Sequence, residues 1–132
     1  MKHIKSDRQK QIDRLDALYR ELIRRRAMLR VGGCERCLAP KISYKQLDTA
    51  HLFGRGQTVR WDPRASAGLC GGCHRYIDTK DQEAKRQLGI KLLGEDYERL
   101  YVLAHMTSKQ SAIDLTLTEI YLKTLLKEVN GR

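Results

Sequence analysis

The sequence predicts an α+β fold, mainly α, with a small cysteine-stapled core between flanking helices. Three observations lead there. Four cysteines fall into two Cys-x-x-Cys pairs, Cys34/Cys37 and Cys70/Cys73, with none left over. Apolar residues recur at helical spacing before and after these pairs. The stretch between the pairs is broken by Pro40, Gly54, Gly56 and Pro63, so it reads as short strands and loops.

Taken in order, residues 7–30 form an amphipathic helix. Ile12, Leu15, Leu18, Leu22 and Leu29 line one side, and Ser6 is a plausible N-cap. The other side carries Arg8, Arg14 and the run Arg24, Arg25 and Arg26. Val31-Gly32-Gly33 ends the helix before the first cysteine. Residues 46–52 fit a strand loosely, and Thr58-Val59-Arg60-Trp61 fits a second, closed by an Asp62-Pro63 turn. A short helix starts near Gly71. After Asp78 the chain turns helical, with Thr79 and Gln82 in capping-box positions and interruptions at Gly89 and Gly94. Ser111 caps a last helix bearing Ile113, Leu117, Ile120, Leu125 and Val129. The layout is one domain, 1–132: a basic N-terminal helix over 1–33, a core over 34–78 and C-terminal helices over 79–132.

One Trp and one Phe in 132 residues make a thin hydrophobic core, which a metal staple would reinforce. No apolar run approaches a membrane span, and the opening MKHIKSDRQK has no secretory apolar segment. A cytoplasmic protein without a membrane partner is expected. Thiols there stay reduced, so the cysteines favour metal over disulfides. A two-residue gap lets both thiolates of a pair bind one tetrahedral ion, and four such ligands close the site. One structural Zn²⁺ on Cys34, Cys37, Cys70 and Cys73 is the expectation. Redox-active pairs and an iron–sulfur cluster are the rival uses. Zinc would pin residues 38–69 at both ends and concentrate functional residues there.

The net charge is +10, unevenly spread. Residues 1–30 carry ten Lys/Arg against four Asp/Glu, and residues 79–132 carry nine against eight. A basic surface of this kind attracts a polyanion, most often nucleic acid, although a merely soluble basic protein has the same composition. Arg24, Arg25 and Arg26 are phosphate-contact candidates or a solvated helix face. Arg55, Arg64 and Arg75 are further DNA-binding candidates. His74 directly follows the second pair and His51 lies in the pinned stretch. Each alone is an ordinary histidine, but together in a zinc-stapled basic protein they suggest a site.

The order Cys-x-x-Cys, Ala-His51-Leu-x-x-Arg55, Arg60-Trp61-Asp62-Pro63, Leu69-Cys70-x-x-Cys73-His74 resembles the HNH (ββα-metal) endonucleases. Within them it is most similar to phage-type proteins related to the NinG recombination nucleases, and endonuclease VII shares the two-pair plan. The motifs cover residues 34–78. The resemblance implies a treble-clef ββα-metal core and metal-dependent hydrolysis of DNA phosphodiesters, in double-stranded or branched DNA. It implies that His51 is the general base and that His74 ligates a catalytic Mg²⁺ or Mn²⁺. Arg60 or Arg55 would neutralise the phosphate. A bacterial host's cytoplasm, a phage or prophage origin and a possible homodimer follow from the same likeness.

Two positions depart from the family pattern. Ala50 stands where a second metal ligand often precedes the base. Asp78, one helical turn from His74, can replace it, and Asp48 shares Ala50's strand face. Ala65 stands where the family has an Asn that steadies the hairpin, so Ala65→Asn is expected to speed cleavage. The rival reading is a non-cleaving zinc-finger DNA-binding module, which would not need His51 and His74 in one pocket.

Overall fold

The computed structural model of the chain describes residues 4–54, 59–106 and 112–131. It is mainly helical with one two-stranded sheet. Helix α1 (Asp7–Val31) begins where Ser6 Oγ accepts from the Gln9 amide, as expected, and ends at Gly32 in the left-handed conformation (φ 69°). Strands β1 (Asp48–His51) and β2 (Ser66–Leu69) pair antiparallel, Asp48 opposite Leu69 and His51 opposite Ser66. Helix α2 (Gly71–Arg75) runs directly into a π-helical turn, Tyr76–Lys80. Helices α3 (Gln82–Leu93), α4 (Asp96–Ala104) and α5 (Ala112–Asn130) follow.

Helices α1 and α5 lie side by side and run in the same direction: Gln11 meets Thr116, Arg14 meets Glu119, and Leu29 shares a groove with Val129. Leu15, Leu22 and Ile23 of α1 pack there with Leu115, Leu122 and Trp61. Parallel neighbours need a long connection, and the cysteine-bearing core is that connection. A second apolar cluster fills the other side of the hairpin: Leu47, Ala50, Leu69, Ile77 and Leu88 close around buried Cys34 and Cys73. The sheet is therefore covered on both faces. Gly68 is where α1 comes closest, since a Cβ there would stand 2.6 Å from that of Ala27.

Three expectations need correction. The second strand is Ser66–Leu69; of the expected 58–61, residues 59–61 form a turn and Thr58 lies outside the described residues. Arg60 and Trp61 both reach Asp16 of α1, and consecutive strand residues cannot point to one side. Ser-Ala-Gly-Leu has little intrinsic strand preference; the strand is made by its pairing with β1, and at Gly68 the close approach of α1 leaves no room for a side chain. Thr79 caps nothing. It lies within the π turn and donates to Arg75 O (2.7 Å), so the cap of α3 falls to Asp81, which accepts from the Ala84 amide at 2.9 Å. Gly89 does not interrupt α3 but lies buried within it under the Tyr97 ring, and the helix stops at Gly94. Ser111 lies outside the described residues. No helix among the described residues is long and apolar enough to cross a membrane.

Candidate metal centre and histidine site

The cysteine centre is built by two turns of the same kind. The Cys37 amide points at Cys34 Sγ, and the Cys73 amide at Cys70 Sγ, each at 3.5 Å. Cys70 thereby caps α2, so the second pair sits on a helix start that the hairpin delivers. The first pair follows α1 and is tied to β2 by the Glu35 amide on Gly68 O at 2.9 Å. All four sulfurs lie within 4.8 Å of one another, and Cys37 and Cys70 Sγ are 3.8 Å apart. Ligands about 2.3 Å from a tetrahedral zinc would be separated by about 3.8 Å, so the donor set fits that ion. Burial opposes ionisation of Cys34, but the surrounding amides of Cys37, Cys70 and Arg36 outweigh it and bring the thiol down to about 7. Burial pushes Cys73 up to about 12, against the pull of the Arg36 guanidinium.

His74 leaves α2 one position after the last cysteine, half-buried. Its Nδ1 is 3.1 Å from Asp48 Oδ2 on β1, and its Nε2 is 3.1 Å from Asp78 Oδ2, one turn on. Lys85 of α3 reaches Asp78 Oδ1 at 3.3 Å. The carboxylates approach opposite ring nitrogens. They do not converge on one point, and among the described residues only the four cysteines bring three or more metal donors together. His74 Nε2 and Asp78 form a two-donor edge, with Asp48 orienting the ring from behind.

His51 ends β1 on the opposite face from Asp48, because the two stand three positions apart on a strand whose side chains alternate. Its ring stacks on Tyr19 of α1 (centroids 5.8 Å apart, 17° between planes), and its Nδ1 is 3.4 Å from Ser66 Oγ across the pair. Ser66 Oγ is 2.6 Å from Tyr19 Oη, which is 2.7 Å from the Asp62 carbonyl. The carbonyl cannot donate, so the Tyr19 proton goes to it. The Ser66 hydroxyl then donates to Tyr19 Oη, and His51 Nδ1–H donates to Ser66 Oγ. This chain assigns the imidazole lone pair to Nε2. Burial holds the Tyr19 phenol well above its usual range, so it stays a neutral link. The two histidines thus do not share one face of the hairpin. They flank the strand that carries Asp48 and His51.

The arginines divide sharply. Arg60 grips Asp16 with two nitrogens (2.8 and 3.2 Å), so the structure gives it a tie between the hairpin loop and α1 in place of the expected phosphate. Arg26 donates to the carbonyls of Pro63 and Ser66, and burial lowers its pKa; it is half-buried and braces the loop. Arg25 lies 3.4 Å from Glu21 and over the Tyr44 ring, and Arg24 lies beside the same ring. Arg64 pairs with Asp62 at 3.0 Å and Arg75 is exposed. Arg55 lies outside the described residues. Ala65, where the resemblance leads one to expect an Asn, is buried against Val59 and Leu100, while its carbonyl accepts from the Leu52 amide at 2.9 Å.

Sequence reasoning missed Tyr19, Ser66 and Arg36. Tyr19 sits a single residue from Leu18 on the helical stripe and reads as core. Ser66 became visible only once the register placed it opposite His51. Comparison of the chain with protein-family models, with curated proteins and with solved structures finds no match.

Proposed function

We propose that the chain is a metal-dependent DNA endonuclease of the HNH type, with a treble-clef ββα-metal core held by one structural zinc on its four cysteines. The observation that carries this reading is the Nδ1 chain on His51. A general base needs its imidazole held in a fixed orientation by a hydrogen bond to one ring nitrogen, and the Ser66–Tyr19–Asp62 chain supplies that tie. On this reading His51 Nε2 takes the proton of the attacking water. His74 and Asp78 are the residues to hold a divalent ion, which Mg²⁺ accepts from one or two protein ligands with water and phosphate completing its shell. Such an ion supplies charge stabilisation at the phosphate and leaving oxygen. Asp48 keeps the His74 ring turned toward Asp78, and Arg24 and Arg75 remain as contacts for the DNA backbone.

A second reading has a specific observation in its favour. His74 already has a carboxylate on each nitrogen, and no third donor joins His74 and Asp78. A zinc-stapled DNA-binding module without cleavage fits that arrangement, and it also fits the placement of His51 and His74 on opposite faces of the hairpin. One experiment separates the two: supercoiled plasmid and a four-way junction are incubated with the zinc-loaded protein in Mg²⁺, Mn²⁺ or EDTA. Cleavage with Mg²⁺ or Mn²⁺, lost in EDTA and in His51→Ala while binding persists, is the expected result. Binding without cleavage under all conditions selects the module.

A further inference from the structure

Arg36 lies between the two ligands of the first cysteine pair, yet its side chain crosses to the second. A guanidinium nitrogen, Nη1, stands 3.4 Å from Sγ of buried Cys73. The same guanidinium lies 4.7 Å above the Tyr76 ring. Tyr76 is itself anchored: its hydroxyl donates to Asp81 Oδ2 at 3.0 Å, and Asp81 Oδ1 caps α3. The cation is thus held from below by a ring fixed to the next helix, and it bridges the two halves of the centre.

The chemistry of such a centre gives this placement a consequence. Four thiolates around one Zn²⁺ leave a net charge of about −2, spread over the sulfurs, and zinc-bound thiolates keep nucleophilic lone pairs. Cys34 and Cys70 receive backbone amides from their own turns. Cys73 receives a charged donor, and a charge-assisted hydrogen bond draws more density from sulfur than a neutral one. We propose that Arg36 is a positioning residue of the metal centre: it holds the Cys73 sulfur as a zinc ligand of low reactivity and thereby sets how fast the centre loses zinc to electrophiles and oxidants. The inference rests on the proposed zinc and is independent of whether the chain cuts DNA.

The test uses the full zinc-loaded chain and the variants Arg36→Ala, Arg36→Lys and Tyr76→Leu. Zinc content is measured first. A parent chain without zinc would overturn the metal reading and this inference with it, whereas the outcomes below bear on Arg36 alone. Iodoacetamide then alkylates thiolates, releasing iodide, and a chromogenic chelator follows the freed zinc while mass spectrometry locates the modified cysteines. In the parent, alkylation begins at exposed Cys37. Arg36→Ala is expected to release zinc about three- to tenfold faster, with Cys73 among the early modified sites. Arg36→Lys keeps the charge but not the stacked plane and falls between. Tyr76→Leu removes the platform and moves in the same direction as Ala, and it carries the test if Arg36→Ala does not load zinc. With Co²⁺ in the site, the sulfur-to-metal charge-transfer band of Arg36→Ala should move to lower energy, a change that a merely structural side chain would not cause. Unchanged release rates, an unmodified Cys73 and an unshifted cobalt band would overturn the proposal.

Discussion

At the scale of single residues, position 65 shows how a motif argument and a packing argument diverge. By the family pattern an Asn there should improve the hairpin. In the structure Ala65 has no room for it: the side chain is 2% exposed and faces Val59 and Leu100. An amide forced into that cluster would be overpacked and unsatisfied. Ala65→Asn is therefore expected to lower stability by about 1–3 kcal/mol, read as a reduced urea midpoint at unchanged slope. A variant as stable as the parent would show that the cluster opens to admit the amide. Tyr19 and Ser66 take over the anchoring task by other means. Tyr19→Phe removes one hydroxyl from the buried chain and should cost about 1–2 kcal/mol. It should also release the His51 tautomer, which imidazole ¹⁵N shifts would report as a mixture where the parent shows protonated Nδ1.

At the scale of elements, the controlling contact is the approach of α1 to β2. Gly68 admits it, and Arg26 reinforces it by reaching over to the carbonyls of Pro63 and Ser66. Gly68→Ala brings two methyl groups within 2.6 Å of one another unless the backbone yields. A loss of about 1–3 kcal/mol is expected in chemical unfolding. The partner substitution Ala27→Gly removes the opposing methyl, so the double variant should be more stable than the sum of the single losses implies. Additive losses would show that the helix does not press on the strand. The same element view sorts the basic run of α1. Arg26→Ala should cost stability by leaving two carbonyls unserved, whereas Arg24→Ala should leave stability unchanged and flatten the salt dependence of DNA binding by about one ion.

At the scale of the whole molecule, the parallel α1–α5 pair and the cysteine centre are two separate supports. The α1–α5 cluster is apolar and continuous. The other core closes around the sulfurs: two of its buried members, Cys34 and Cys73, are ligands of the candidate centre. Metal removal should therefore dismantle the hairpin region first. Cys70→Ser or a strong chelator is expected to forfeit much of a binding free energy on the order of 10 kcal/mol. Hydrogen exchange at 47–77 should then rise to near the unfolded limit while amides in α1 stay protected longer. A metal-free chain with full protection of β1 and β2 would show that packing alone suffices.

What the sequence determined by itself is what depends on short-range spacing. The two Cys-x-x-Cys turns, the start of α1 at Ser6, the left-handed stop at Gly32 and the one-turn offset of Asp78 from His74 are all local, and all were legible. What only the tertiary structure decided is what depends on partners distant along the chain. Val59 to Trp61 looked like a strand because their side chains are of strand type, but Asp16, far back in α1, claims both Arg60 and Trp61. Ser66 to Gly68 carried no strand signal, but they pair with Thr49 to His51, and Gly68 admits the close approach of α1. Arg26, read as a DNA contact, and Arg60, read as a catalytic phosphate partner, are held instead by carbonyls and a carboxylate of the fold, because a guanidinium binds whichever acceptor packing brings near. Pairing register and side-chain claims of this sort are settled by long-range contact, and no window of sequence contains both partners.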